Sequence, residues 1–162
     1  MSVNIRSARK RDAASVVAMA QELSDGEGKP PRSLSEAGFR RDGFGLKPAF
    51  SCLLVEVDGA TAGYALFHPA YDAEDGQRGA FLHDLYLRAP YRGRGLGRAL
   101  LAEVCRTTKG AGGRFVWWSM IKGSAQAESF YRHLAKPLDD LQVWIAADEH
   151  FERLAQDDAL FR

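Results

Sequence analysis

Apolar residues change their spacing several times along this chain, and each change predicts an element. Val3 and Ile5 alternate with polar neighbours, as in a short strand. Asp12 stands at a helix N-cap position, before Ala13, Val16, Val17, Ala20 and Leu23 on one helical face. Ser24–Pro31, with two glycines and two prolines, reads as a loop. Ser33-Leu34-Ser35-Glu36 has capping-box spacing and starts a second helix that fades near Gly43. Phe50–Val57 predicts a strand, Asp58-Gly59 a hairpin turn, and Ala62–Phe67 the partner strand. Tyr71–Gly79 reads as a polar loop holding Asp72, Glu74 and Asp75.

The second half has a different rhythm. Phe81–Leu87 predicts a strand, Arg92–Gly97 a glycine-rich turn, and Arg98–Val104 a helix. Gly110–Gly113 break the chain before Phe115–Met120, a strand of buried character whose Trp117 and Trp118 read as core residues on opposite faces. Ser124–Leu134 predicts a helix, Leu141–Ala146 a strand, and Glu149–Leu154 a terminal helix. No repeat or low-complexity segment appears. Antiparallel strands first and a βαβ unit later imply an α/β chain with a mixed sheet and helices on both faces.

Length and charge narrow the function. The 162 residues fit one domain, 1–162, long enough to bury a core. Lysine and arginine number 22 against 21 acidic residues, so no global basic field points to nucleic acid. Basic residues cluster only locally, in Arg6–Arg11 and Arg88–Arg98. Cys52 and Cys105 each lie in apolar segments and are expected as two buried free thiols, in keeping with a reducing cytoplasm. The N-terminus lacks an apolar signal core, and no apolar run has the length of a membrane span. His68, His133 and His150 show no metal-ligand spacing, so no metal is expected.

The densest chemical signal is Arg92-Gly93-Arg94-Gly95-Leu96-Gly97, between a strand and a helix. That order points backbone N–H groups and a helix dipole at an anion. Side chains in place of the glycines would screen those amides, and some positions require positive φ. Arg92, Arg94 and Arg98 add donors suited to phosphate. No Lys-Ser or Lys-Thr follows, so the P-loop pattern is not met. The glycine spacing also differs from the dinucleotide fingerprint, which opens a βαβ unit.

The spacing resembles Arg/Gln-x-x-Gly-x-Gly/Ala, the coenzyme A pyrophosphate loop of the GNAT superfamily of N-acyltransferases. Ile5-Arg6-Ser7-Ala8 with Asp12 looks like that family's opening strand and helix, and Phe130-Tyr131-Arg132-His133-Leu134 like its Phe-Tyr-x-x-Leu-Gly segment. Four stretches are similar to the diamine (spermidine/spermine-type) N-acetyltransferase branch: Arg40–Gly45, Leu54–Gly59, Leu82–Leu87 with Tyr91-Arg92-Gly93, and Pro137–Asp140. The resemblance implies a mostly antiparallel sheet with a splayed parallel pair, and acetyl transfer from acetyl-CoA to a small-molecule amine. Leu85, Tyr86 and Leu87 would offer main-chain groups to pantetheine. Arg92, Gly93, Arg94, Gly95, Leu96, Gly97 and Arg98 would hold the pyrophosphate. Ser124 and Ala127 would flank the cofactor near its sulfur, and Tyr131 would protonate the departing thiolate. A homodimer is also implied, and Phe151, Leu154, Leu160 and Phe161 form an apolar segment to pack on a partner or on the chain's own sheet. The chain has His83 where the branch often has Glu, Ser124 where it has Asn, and Ala135 where a glycine is usual.

Direct attack of an amine on a thioester requires close approach, a neutral amine and a stabilised leaving sulfur. Tyr131 supplies a hydroxyl donor, or is a core aromatic beside Phe130. His83 is the candidate base, since imidazole accepts a proton near neutral pH. On strand alternation it shares a face with Phe81 and Leu85, which leaves a packed core histidine open. Asp84 faces the other way, to orient the site or to fix the strand. Cys105, on a helix beside Val104, reads as buried, against an acyl-carrier role. Asp72, Glu74 and Asp75 read as a solvated loop before an amine-attracting one. The expected activity is acetyl transfer to a polyamine- or diamine-like primary amine in a ternary complex. Amino-acid-like amines, aminophosphonates and protein lysines remain alternatives, as does a silent acyl-CoA-binding domain.

Overall fold

Five short apolar rhythms become one sheet whose strand order follows the sequence. The computed structural model describes residues 1–138 and 142–156, in two units, Met1–Lys122 and Gly123–Arg162. In the first unit β1 (Val3–Ser7), β2 (Ser51–Val57), β3 (Ala60–Asp72) and β4 (Gln77–Leu87) pair antiparallel in succession. β5 (Phe115–Trp118) joins β4 in parallel, across a connection that holds α3 (Leu96–Gly110). The β2–β3 hairpin turns at Asp58 (φ 49°) and Gly59 (φ 82°), the paired positive φ that a tight two-residue turn demands.

Two apolar layers flank the sheet. On one face Cys52, Leu54, Tyr64, Leu66 and Tyr86 pack under α1 (Ala13–Gly26) and α2 (Glu36–Asp42) with Val16, Met19, Ala20 and Phe39. The alternate residues Leu53, Val55, Ala65, Phe67 and Leu82 are buried on the other face, where α3 contributes Leu96, Leu100, Leu101 and Val104. Each large side chain fully buried here stabilises the fold by about 1.5–3 kcal/mol.

Several expectations shift. Asp12 does not cap α1 with its side chain. Its carboxylate accepts Arg6 Nη1 at 2.8 Å and Nη2 at 3.0 Å, and the Arg9 amide at 2.7 Å. Charge-assisted bonds to a guanidinium outcompete an exposed cap. α1 continues through Gly26, past the expected loop start at Ser24. The second helix is capped by Ser35, whose Oγ accepts the Gly38 amide at 3.0 Å, so the box spacing from Ser33 is two residues early. β3 and β4 run far into the expected polar loop. They leave a short hairpin in which Asp72 Oδ1 accepts the amides of Glu74 (2.9 Å) and Asp75 (3.4 Å). Trp117 is 37% exposed, not core, because it lies on the sheet's last strand. Cys52 is buried but Cys105 is exposed, on the outer side of α3, and both thiols are free.

The second unit contains α4 (Ala125–Arg132) and α5 (Asp148–Ala155). Gln142–Ala147 form no strand, against the expected Leu141–Ala146. Val143, Trp144 and Ile145 are three consecutive apolar residues, 84–86% exposed, and pair with no strand among the described residues. Leu141, Asp139, Asp140, Leu160 and Phe161 lie outside the described residues. Among the described residues no helix is long and apolar enough to cross a membrane.

Candidate active site

The middle of β4 departs from regular pairing. Leu66 of β3 faces Asp84 and its neighbour Phe67 faces Leu82, which leaves His83 as the extra residue of a β-bulge. A bulge reverses the alternation of side chains across it. Asp84, opposite Leu66, therefore lies on the α1 side of the sheet, and Leu85, opposite Ala65, lies on the α3 side. The ring of His83 meets those of Phe81 (4.9 Å) and His68 (4.8 Å), two residues beyond Leu66 on that same α1 side. His83 thus shares a face with Phe81 and Asp84, not with Leu85, and the simple alternation expected from sequence fails at the bulge.

His83 is exposed, which removes the packed-core reading. Protein around the ring disfavours the imidazolium, His68 adds to that, and Arg32 opposes the charge further. Asp84 acts the other way, but the net effect holds His83 below the usual histidine range. His68 Nδ1 lies 2.8 Å from the Pro69 carbonyl. A carbonyl only accepts, so this nitrogen carries the proton.

Asp84 is buried, 7% exposed, and its charge is fully engaged. Arg32 grips it with Nη1 at 3.2 Å and Nη2 at 3.0 Å, and the Tyr64 hydroxyl donates to Oδ2 at 2.8 Å. Arg32 comes from the segment between α1 and α2. It is held there by Nε donation to Ser24 Oγ (2.8 Å) and by its amide on Gln21 (2.9 Å). Burial beside the Asp84 carboxylate pushes the Tyr64 phenol far up, so it stays a neutral donor. Nearby, Glu22 accepts the Tyr86 hydroxyl at 3.0 Å and is paired with Arg88, which lowers its pKa.

The β4–β5 pairing ends at Leu82 and Trp118, while β4 continues to Leu87. The edge of β4 over 83–87 is therefore not covered by β5. Leu85, Tyr86 and Leu87, the expected pantetheine contacts, occupy this edge. Arg92 Nε donates to the Leu87 carbonyl at 2.8 Å, and its guanidinium lies 5.6 Å from the Tyr86 ring centroid. Gly93 (φ 73°) and Gly95 (φ 78°) take left-handed backbone, with nothing within 4 Å of either Cβ position. Gly95 is the residue before α3 and has no side chain to cap it, so the first amides of the helix, from Leu96, Gly97 and Arg98, face outward unclaimed by a cap. Arg94 and Arg98 are exposed.

The remaining expected residues belong to the second unit. Ser124 Oγ accepts the Ala127 amide at 3.4 Å and caps α4. Tyr131 is half-buried in α4, its ring 5.0 Å from Phe130 in an edge-on arrangement. Arg32, Ser24, Tyr64 and His68 escaped sequence reasoning. For Arg32 the faint signal was an arginine directly after two prolines.

The acetyltransferase (GNAT) family model matches residues 17–135. The chain is 29% identical over 155 residues to thialysine N-epsilon-acetyltransferase of Mus musculus, a match covering 90% of this chain and 91% of that one. It is 32% identical over 108 residues to spermidine/spermine N(1)-acetyltransferase-like protein 1 of Homo sapiens, covering 62% of this chain and 15% of that one. In three dimensions it is similar to an integron cassette protein of V. cholerae, with TM-score 0.80 at 17% identity over 97% of this chain and 99% of that one. The chain belongs to the GNAT acetyltransferase family and has its fold. It is an acyltransferase.

Proposed function

We propose that this protein, working as one domain in the cytoplasm, transfers acetyl from acetyl-CoA to a primary amine of a small molecule. The observation that carries the reading is the stretch of β4 beyond β5, leading into the open glycine loop before α3. Family membership and the names of the relatives, which acetylate amines, support the same chemistry. Pyrophosphate would sit on the Gly93–Gly97 amides with Arg94 and Arg98 as outer donors. The pantetheine amides would pair with the free edge of Leu85–Leu87, and Ser124 and Ala127 would lie near the sulfur.

The amine nitrogen attacks the thioester carbonyl carbon in a ternary complex, forming C–N as C–S breaks. His83, neutral at physiological pH, takes the proton that the nitrogen loses. Tyr131 returns a proton to the departing sulfur. A hydroxyl donor of this kind typically contributes about 10²–10⁴-fold. Asp84, saturated by Arg32 and Tyr64, fixes the bulge that presents His83 and moves no proton itself. The acceptor is a polyamine- or diamine-like amine, or an amino-acid-like one. The test is thiol release from acetyl-CoA over a panel of amines, with the acetylated product identified by mass. Release with no amine in a wide panel, alongside retained acetyl-CoA binding, would favour a silent acyl-CoA-binding domain.

A further inference from the structure

Which acceptor does the face around His83 suit? The obvious anchor for the distant ammonium of a diamine is a carboxylate near the bulge. Asp84 is that carboxylate, but both its oxygens are taken by Arg32, and one also by Tyr64. The acids of α1 and the segment after it are engaged too: Glu22 by Arg88, Asp25 by Gln21 and Glu27 by Lys29. A second positive charge would therefore meet a guanidinium where it needs an anion. Arg32 has five N–H donors, and three are used, on Ser24 and Asp84. Its side chain is 29% exposed, and Arg donors suit a planar carboxylate.

We propose that Arg32 is a specificity-determining residue: it masks Asp84 against diamines and polyamines and offers its remaining N–H donors to an acceptor that carries a carboxylate beyond its reacting amine. This inference rests on the acetyltransferase reading of the same face. It selects amino-acid-like acceptors over the polyamine-like ones that the sequence favoured. Removing Arg32 should do more than weaken binding. It should unmask Asp84 and recruit the second ammonium of a diamine.

Matched acceptors that differ only by a carboxylate give the test: L-ornithine against putrescine, and L-lysine against cadaverine. The parent should favour the carboxylated member of each pair by about tenfold or more in kcat/KM, chiefly through KM. In Arg32→Ala and in Arg32→Gln the preference should invert. Adding Asp84→Asn to either should remove the gained diamine activity. A parent that prefers the decarboxylated amines overturns the proposal without any variant, as does a preference ratio unchanged in a folded Arg32 variant. Absence of transfer to every amine is a different result and counts against the enzymatic reading itself.

Discussion

Leu82 and Asp84 lie two apart along β4, yet the β3 residues they face, Phe67 and Leu66, are adjacent. The slip expels His83 from the register and sets it beside His68 and Phe81, above a carboxylate locked by an arginine. The bulge thus turns a strand residue outward, exposed on the α1 side of the sheet.

His83 should govern an acidic limb in the rate. Its pKa is lowered, mainly by the surrounding protein, so the neutral, proton-accepting form persists to lower pH than in an ordinary histidine. With acetyl-CoA saturating, turnover should fall as pH drops through a midpoint below about 6.5. The limb should vanish in His83→Ala and persist, moved further toward acid, in His83→Glu. An amine substrate losing its own proton gives a second limb that follows the substrate's pKa and ignores the residue at 83. A profile identical in parent and His83→Ala would leave the base to water.

Gly95→Asp should weaken acetyl-CoA binding by more than about tenfold, about 1.4 kcal/mol. It forces an L side chain into left-handed backbone at φ 78° and places a carboxylate against the phosphates. Calorimetry reads the change directly, and an unaltered affinity would move the pyrophosphate elsewhere.

The glycine loop was legible because its requirement is local: positive φ at Gly93 and Gly95, then a helix. The sheet was legible through alternation and the Asp58-Gly59 turn. The bulge was not, since the slip at His83 is defined by β3 and nothing in Phe81–Leu87 announces it. Arg32 and Asp84 meet across 52 residues of sequence, a pairing that no spacing rule detects. Val143–Ile145 is an apolar run expected as part of a strand but lies in none, because apolar residues alone do not supply a pairing partner.

The Arg6 cluster should dominate acid stability at the sheet's first edge. Arg6 joins Asp12 and Glu56, and its hydrogen bonds are the main cause that lowers both acids' pKa values. Lowered values mean stabilisation that is present above the acids' unfolded pKa, about 4, and lost as pH falls through the folded values. Arg6→Ala should cost about 1–3 kcal/mol at neutral pH in denaturant unfolding. The difference from the parent should shrink as pH falls below the acids' unfolded range, about 4, and through their lowered folded values. A constant difference across that range would assign the cost to packing alone.

A homodimer is expected in solution. Val143, Trp144 and Ile145, with Phe151 (57%) and Leu154 (66%), are large apolar side chains exposed in the second unit, the kind of surface a partner covers. Light scattering at micromolar concentration should give twice the chain mass of 17.9 kDa. Trp144→Asp should shift the population toward monomer, and a monomeric parent would defeat the expectation.

Tyr131→Phe separates chemistry from binding. The phenol is proposed to act on charge that develops only as sulfur departs, so its loss should spare the ground state. Turnover should fall by about 10²–10⁴-fold, the usual cost of a missing general acid, while acetyl-CoA affinity stays within about twofold. The ring's edge contact with Phe130 persists in phenylalanine, which keeps the packing of α4 and isolates the hydroxyl. The effect should also depend on the leaving group. A thioester whose thiol is more acidic needs less help from a proton donor, so the penalty should shrink with such an analogue. A mutant that turns over within about a factor of two of the parent, with the chemical step rate-limiting, would take Tyr131 out of the mechanism.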